Sequence, residues 1–480
     1  MQIKVYFLPQ NRFFCPFIPY FNPIYAHEIC MSRFFRVFLH HNKVCMDPIR
    51  SYFSYIDQAI RMNWTAPALS DYEGSLSYSY GQVAEQVVRF RHVFQEVGLC
   101  PGDHIAIVGR NAANWAIAYL AIAAYRGVAV TIMPDFAPDK ITALLKHADC
   151  KALFVGPYVL PRLKPYLQDL SLKAVWPFEE IKPADTVQIS PDDLHLPMDN
   201  QDDLALINYI DDDITISKGV MLTHRAISSN VMFGQSSIPT GPDKHILSLL
   251  PLSQMLGFLF EFLYPLAGGA HIYFITKGLT HAQLIEAYQI VKPYMVVSIP
   301  HVVERIVHRT TDKDVKTVLR RILWHCPFVG LGRRRRAKQK LMEAFGGKLE
   351  LLVIGTGKLD YKVEKRLAAM RFPYTCGHGI AECGPMISYE YPKQYRFGSV
   401  GKVVDRMEVH IDSPKPLSEP GEILVRGDNV MLGYYGNMNL TNAVLTDAGW
   451  MRTGDKGTMD RKGNLFLTGE HLERFVNKEL

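Results

Sequence analysis

Apolar residues at Val83, Val87, Phe90, Phe94 and Val97 recur at helical spacing and stop at Gly98. The spacing puts them on one helix face, and a glycine just beyond the last of them is a common helix end. After the turn at Gly102-Asp103 comes His104-Ile105-Ala106-Ile107-Val108, a short apolar run bounded by turns. Ala112 to Tyr125 is helical again, and Gly127 to Ile132 is β-branched and strand-like. Strand, helix and strand at this spacing predict βαβ units and a parallel sheet.

The rhythm recurs. Strand-like runs lie at 152–156, 204–210, 270–275, 294–299 and 349–355, with helical stretches between most of them. Farther on, 407–411, 421–426 and 464–468 predict short strands joined by turns, without long helices. The expected architecture is a large α/β body followed by a β-rich subdomain, with no internal repeat. The most apolar region, Ile246 to Ile275, is interrupted by Gln254, Glu261, Pro265 and Gly268-Gly269. A membrane span needs about 18 or more uninterrupted apolar residues, so a buried helix followed by a strand is expected instead.

Composition narrows the class. At 480 residues the chain exceeds one core, and 48% hydrophobic with 21% charged residues is globular. A net charge of +6 is small for this length and does not describe a dedicated nucleic-acid binder. The eight cysteines are scattered without a CxxC pair, which argues against a zinc ribbon or disulfide framework and for a reducing cytoplasm. Residues 1–45 stand apart, with Arg12-Phe13-Phe14-Cys15-Pro16 and Arg33-Phe34-Phe35-Arg36 rich in aromatics and the first broken by proline. They lack the apolar stretch and cleavage site of a signal peptide. An extension upstream of a start at Met46 and a membrane-surface anchor both fit. The run Arg333-Arg334-Arg335-Arg336 has no interleaved aromatics, so a solvated helix start is expected rather than an RNA platform.

Four segments carry the chemistry. The first runs from Asn208-Tyr209 to Lys218-Gly219-Val220-Met221-Leu222-Thr223-His224, and the second is Gly377-His378-Gly379-Ile380-Ala381-Glu382-Cys383-Gly384-Pro385. The third is Gly421-Glu422-Ile423-Leu424-Val425-Arg426-Gly427 followed by Asn429-Val430-Met431-Leu432-Gly433-Tyr434-Tyr435, and the fourth is Trp450-Met451-Arg452-Thr453-Gly454-Asp455. In this order and spacing they resemble the signature blocks of the adenylate-forming (AMP-binding) superfamily. The residues around Leu249-Leu250-Pro251-Leu252 and Ile387-Ser388-Tyr389-Glu390 are most similar to bacterial long-chain fatty acid–CoA ligases, the acyl-CoA synthetases.

The resemblance implies an α/β fold: the large N-terminal body of an adenylate-forming enzyme, with two αβ subdomains at 46–395 and a β-rich one at 396–460. Residues 461–480 would be a hinge and a remnant of the C-terminal lid domain. It also implies ATP, Mg2+ and coenzyme A, with a fatty acid converted through an acyl-adenylate to its CoA thioester. No protein partner follows from it. Peripheral membrane contact would suit an enzyme of lipids.

The resemblance assigns roles by position. Glu382 would help hold the nucleotide's magnesium, and Lys218 would remain as a phosphate contact. His378 stands where the family usually has a tyrosine against adenine, with Gly379 beside it. Gly355-Thr356-Gly357 would line the adenine pocket, and Asp455 would accept from the ribose hydroxyls. Gln254 replaces a histidine near the acyl–phosphate junction, and Gly257 would line an acyl channel or belong to plain core.

One block departs from the pattern. Where the family reads roughly Thr-Ser-Gly-Thr-Thr-Gly, this chain has Ile210, Asp211, Asp212, Asp213, Ile214 and Thr215. One carboxylate about 5 Å from a phosphate charge repels it by roughly 3 kcal/mol at an effective dielectric of about 20. Consecutive residues of an extended chain point to opposite faces, so the three aspartates would not converge on one metal. Impaired activation, a non-catalytic acyl- or partner-binding relative, and a short compensated frameshift all remain open. Gly469-Glu470 likewise replaces the expected Gly-Arg, and the chain ends at Leu480, before the family's lid lysine.

Overall fold

The computed structural model describes residues 48–74, 76–210, 218–315, 329–355 and 357–468. The 1–45 extension, Asp211–Asp213, Thr215, Thr356 and Gly469-Glu470 lie outside the described residues.

Two large sheets carry the body. The first has the order β13-β12-β11-β9-β10-β1-β2. Its strands are β1 (Pro67–Asp71), β2 (Ser77–Ser79), β9 (His245–Ser248), β10 (His271–Phe274), β11 (Met295–Ser298), β12 (Leu351–Ile354) and β13 (Tyr374–Cys376). All pair in parallel except β2, which is antiparallel to β1. The second sheet has the order β19-β8-β7-β4-β3-β5-β6. It comprises β3 (His104–Val108), β4 (Val128–Ile132), β5 (Ala152–Val155), β6 (Ala174–Pro177), β7 (Leu204–Tyr209), β8 (Gly219–Thr223) and β19 (Gly433–Tyr434). Here β3 to β7 are parallel, while β8 and β19 turn the far edge antiparallel. The expected βαβ rhythm is therefore present, distributed over two sheets.

The smaller sheets are antiparallel. One joins β14 (His378–Gly379), β15 (Met386–Tyr389) and β16 (Lys402–Val403). The other orders β17 (Met407–Asp412), β18 (Gly421–Gly427), β20 (Met451–Met459) and β21 (Leu465–Leu467) as β17-β18-β20-β21. This is the β-rich region expected near the end of the chain.

Helix Ala113–Ala124 is buried along its whole length, as a helix apolar on every face must be. Its residues Trp115 and Tyr119 meet Phe258 and Phe262 edge-on, with Tyr119 and Phe258 centroids 4.7 Å apart. The partners belong to the apolar region between β9 and β10. That region folds as the helical segment 255–267, with Phe258–Leu263 in π-helical form. Among the described residues, no helix is long and apolar enough to cross a membrane.

Helix Ala113–Ala124 has no side-chain cap of its own. Asp71, at the end of β1, supplies one by accepting from the Ala113 N–H at 2.7 Å. A first-sheet strand thus caps a second-sheet helix. Burial pushes the Asp71 carboxyl up to about 6, against the pull of that hydrogen bond.

Candidate active site

Ligands of open α/β sheets bind beyond the carboxyl ends of the strands, and both large sheets bring their candidate residues there. Ile210 follows β7, and its N–H reaches the Lys218 carbonyl at 3.4 Å. That contact closes the base of the segment between them and sets half-buried Lys218 at the entrance to β8. One residue before the end of β7, buried Asn208 donates to Thr131 Oγ1 at 2.7 Å and to the Ser253 carbonyl at 2.6 Å. Gln254 is next in the chain, so the β7 strand and the Gln254 turn are tied together. Asn111 holds the same turn from the other side, donating to the Leu250 carbonyl and accepting from the Leu252 N–H.

Gly257 has a packing explanation. A Cβ there would lie 2.7 Å from the Pro251 carbonyl oxygen and 2.8 Å from that of Leu250. Gly355, at the end of β12, bonds through its N–H to the Ser298 carbonyl. A side chain at Gly355 would press on Leu256, 2.8 Å from one of its methyl carbons. Gly357 follows in a half-buried bend.

The turn carrying Glu382 is held from several directions. Ala381–Cys383 form one 3-10 turn, and the Ile380 N–H closes on the Pro385 carbonyl at 2.9 Å. Gly379 is needed for that closure, because a Cβ would sit 2.2 Å from the same carbonyl oxygen. Asn230, fully buried in helix His224–Ser237, donates to the Cys383 carbonyl at 3.2 Å and accepts from the Met386 N–H at 3.0 Å. Asn429 donates to the Met386 carbonyl. The Tyr434 hydroxyl reaches Glu382 Oε1 at 2.7 Å.

His378, 6% exposed, lies in β14 with its Nε2 3.2 Å from Asp455 Oδ2. The separation suits an ion pair, but the angle is too poor for a hydrogen bond and leaves Nε2 without a donor–acceptor partner. Asp455 comes from β20, where Gly454 at φ +77° shapes the chain and the Asp455 N–H bonds Thr453 Oγ1. Burial, with the charges of Glu382 and Asp455, pushes the Cys383 thiol up.

A magnesium ion binds through one or two carboxylates and completes its shell with water and substrate phosphates. Glu382 fits that demand, because it offers a hard oxygen donor in a fixed turn. No group of three or more His, Cys, Asp or Glu residues forms a metal cage among the described residues.

The model of the family described as AMP-binding enzyme matches residues 56–435. The chain belongs to the AMP-binding enzyme family. Long chain acyl-CoA synthetase 1 of Arabidopsis thaliana is 26% identical over 466 residues, which cover 83% of this chain and 70% of that protein. 4-Coumarate–CoA ligase 3 of Oryza sativa subsp. japonica is 23% identical over 429 residues, covering 84% and 70%. The structure is similar to the N-terminal domain of FACL13 from Mycobacterium tuberculosis, with a TM-score of 0.68 and 15% identity over 88% of this chain and all of that one. A long-chain-fatty-acid–CoA ligase from Archaeoglobus fulgidus gives a TM-score of 0.71 at 18% identity, covering 88% and 84%. The fold is that of the N-terminal body of these adenylate-forming enzymes.

Within this AMP-binding body, Gly379, Glu382, His378 and Asp455 come together, and Gln254 is tied to the strand that leads to Lys218. Sequence reading gave no role to Asn111, Asn208, Asn230 or Tyr434. Asn230 had a signal, since an asparagine inside an apolar-faced helix is costly unless its amide is bonded. Tyr434 lay within a quoted block, but its target is more than 50 residues away in the chain and only folding reveals it.

Proposed function

We propose that the chain activates a long-chain fatty acid with ATP, through an acyl-adenylate, to its CoA thioester, at a rate lowered by Asp211–Asp213. The observation that carries this reading is Glu382, held by Tyr434 in the turn that follows His378, with His378 itself against Asp455. Glu382 would hold the nucleotide's magnesium and Asp455 the ribose hydroxyls. His378, Gly355 and Gly357 would border the adenine, and Lys218 would face the phosphates. Magnesium, when bound, would neutralise phosphate charge as pyrophosphate leaves. The fatty carboxylate attacks the α-phosphorus, and the thiol of coenzyme A then displaces AMP at the acyl carbon.

The long-chain choice rests on relatives whose names specify long-chain acids. Relatives named for 4-coumarate give the competing substrate class. Phe258 packs into the Trp115–Tyr119 core, which supports the plain-core reading for that stretch. On this reading the αβ subdomains extend to about residue 395 and the β-rich one to about 460. Peripheral contact with a membrane, where long acyl chains reside, belongs to the same proposal.

Pyrophosphate exchange into ATP tests it, using medium and long fatty acids, 4-coumarate and a Glu382→Ala control. Exchange above the control with long acids only is the expected result. Binding of fatty acid without any exchange would favour the non-catalytic relative, the reading that the three aspartates support. Replacing Asp211–Asp213 by Ser, Gly and Thr should raise exchange, because repulsion of roughly 3 kcal/mol per close pair is removed.

A further inference from the structure

The segment from Met431 to Tyr435 is bonded on two sides at once. The Leu432 N–H donates to the Met221 carbonyl at 2.9 Å, and the Tyr435 N–H donates to the Gly219 carbonyl at 2.8 Å. Those acceptors belong to β8, the strand that begins immediately after Lys218. On the other side, the Met431 N–H donates to the Glu382 carbonyl at 2.8 Å, and the Tyr434 hydroxyl takes Glu382 Oε1 at 2.7 Å. Tyr434 is 6% exposed, and its own N–H is held by Thr441 Oγ1 at 2.9 Å. Gly433, at φ +143°, leaves no room for a Cβ, which would lie 2.6 Å from a Thr441 methyl carbon. The strap is therefore fixed in its backbone and ends in a single phenol on a single carboxylate oxygen.

We infer that Tyr434 is a positioning residue: its hydroxyl fixes the Glu382 carboxylate for a nucleotide-borne cation and couples that carboxylate to the strand leaving the phosphate-loop segment. This rests on the reading of Glu382 as the cation's ligand. A carboxylate turns easily about its last bond, and a hydrogen bond at the usual hydroxyl distance restrains that rotation. Coupling through β8 means that a nucleotide seated against Lys218 meets a carboxylate already oriented.

The test is Tyr434→Phe, which keeps the buried ring and removes only the hydroxyl. Manganese affinity would be measured by electron paramagnetic resonance with a non-hydrolysable ATP analogue, beside nucleotide affinity in metal-free buffer. Removing an outer-shell partner of a metal ligand typically weakens metal binding about 10-fold or more. The variant should lose about 10-fold in manganese affinity, with metal-free nucleotide affinity unchanged. Its melting temperature should stay within about 2 °C of the parent's. Adding Tyr434→Phe to Glu382→Ala should cost nothing further, since the hydroxyl acts through that carboxylate. Parental manganese affinity in Tyr434→Phe, with Glu382→Ala impaired, overturns the tyrosine's role and leaves the reading of Glu382 standing. Parental affinity in Glu382→Ala, or no metal-dependent binding by the parent, overturns both. Equal loss with and without metal, together with a lower melting temperature, also overturns the inference, because it marks a purely structural tyrosine.

Discussion

Glu261 lies in the helical segment between β9 and β10, 1% exposed, whereas Glu382 occupies the turn after β14, 8% exposed. Glu261 Oε2 accepts from the Leu249 and Leu250 N–H groups, both at 2.8 Å, and from Ser248 Oγ at 3.3 Å. It ties its own helical segment to the end of β9. Its other oxygen is buried without a hydrogen-bond partner. Burial pushes the carboxyl up to about 8, although the three hydrogen bonds pull the other way. Glu382 has one phenol on one oxygen. The contrast separates two uses of a buried acid. Surrounded by backbone donors in dry core, it is an internal strut. Held by one phenol in a turn, with its second oxygen bonded to no donor among the described residues, it has the coordination that the proposed cation role requires.

The comparison breaks most easily at Glu261. Glu261→Ala should destabilise the protein by about 3–5 kcal/mol, through a cavity and abandoned backbone donors. Urea unfolding measures it, and a loss below about 1 kcal/mol would remove the strut from the account. Gly379→Ala should come next, at roughly 1–3 kcal/mol, because the clash is with backbone rather than with a movable side chain. Should that variant keep parental stability and nucleotide binding, the Glu382 turn is looser than its contacts indicate.

The pH dependence sharpens the same contrast. Glu261 has a folded pKa of about 8 against an ordinary 4.5, so the folded state holds the proton more tightly than the unfolded chain. Its contribution is full below about 4.5 and is lost as pH rises towards about 8. The slope in that window can reach about 1.4 kcal/mol per pH unit. His224 and His271, pushed down to about 4 by burial, act oppositely and cost stability as pH falls below 6.5. Subtracting the profile of Glu261→Gln from the parent's isolates the acid. A flat difference curve would show that the carboxyl titrates alike in both states. Glu382→Ala should cost about 1–3 kcal/mol, because it removes the acceptor of the buried Tyr434 hydroxyl. Metal-dependent nucleotide binding should also vanish. A stability loss matching that of Glu261→Ala would place both acids in one class.

Much of the fold was legible in the chain because its strands are short apolar runs at regular spacing. His104–Val108 was read with its observed bounds, and 204–210, 294–299 and 407–411 fall within a residue or two. The division into two parallel sheets was not legible. Strand β1 pairs with β10, Leu69 opposite Ile272, and nothing local encodes a pairing across that span of chain. Strand β19 has only two residues, too few for periodicity to reveal, yet it carries Tyr434.

By itself, then, the sequence determined the α/β alternation, the β-rich closing region and, by its motif blocks, the AMP-binding family. These are local properties, set by side-chain periodicity and by residue types at fixed spacing. Tertiary structure alone decided that Asn230 and Tyr434 brace the Glu382 turn, that Asp455 meets His378, and that Glu261 is sealed in core. Hydrogen bonding and desolvation depend on what surrounds a group in three dimensions, and here those surroundings come from residues tens to hundreds of positions away.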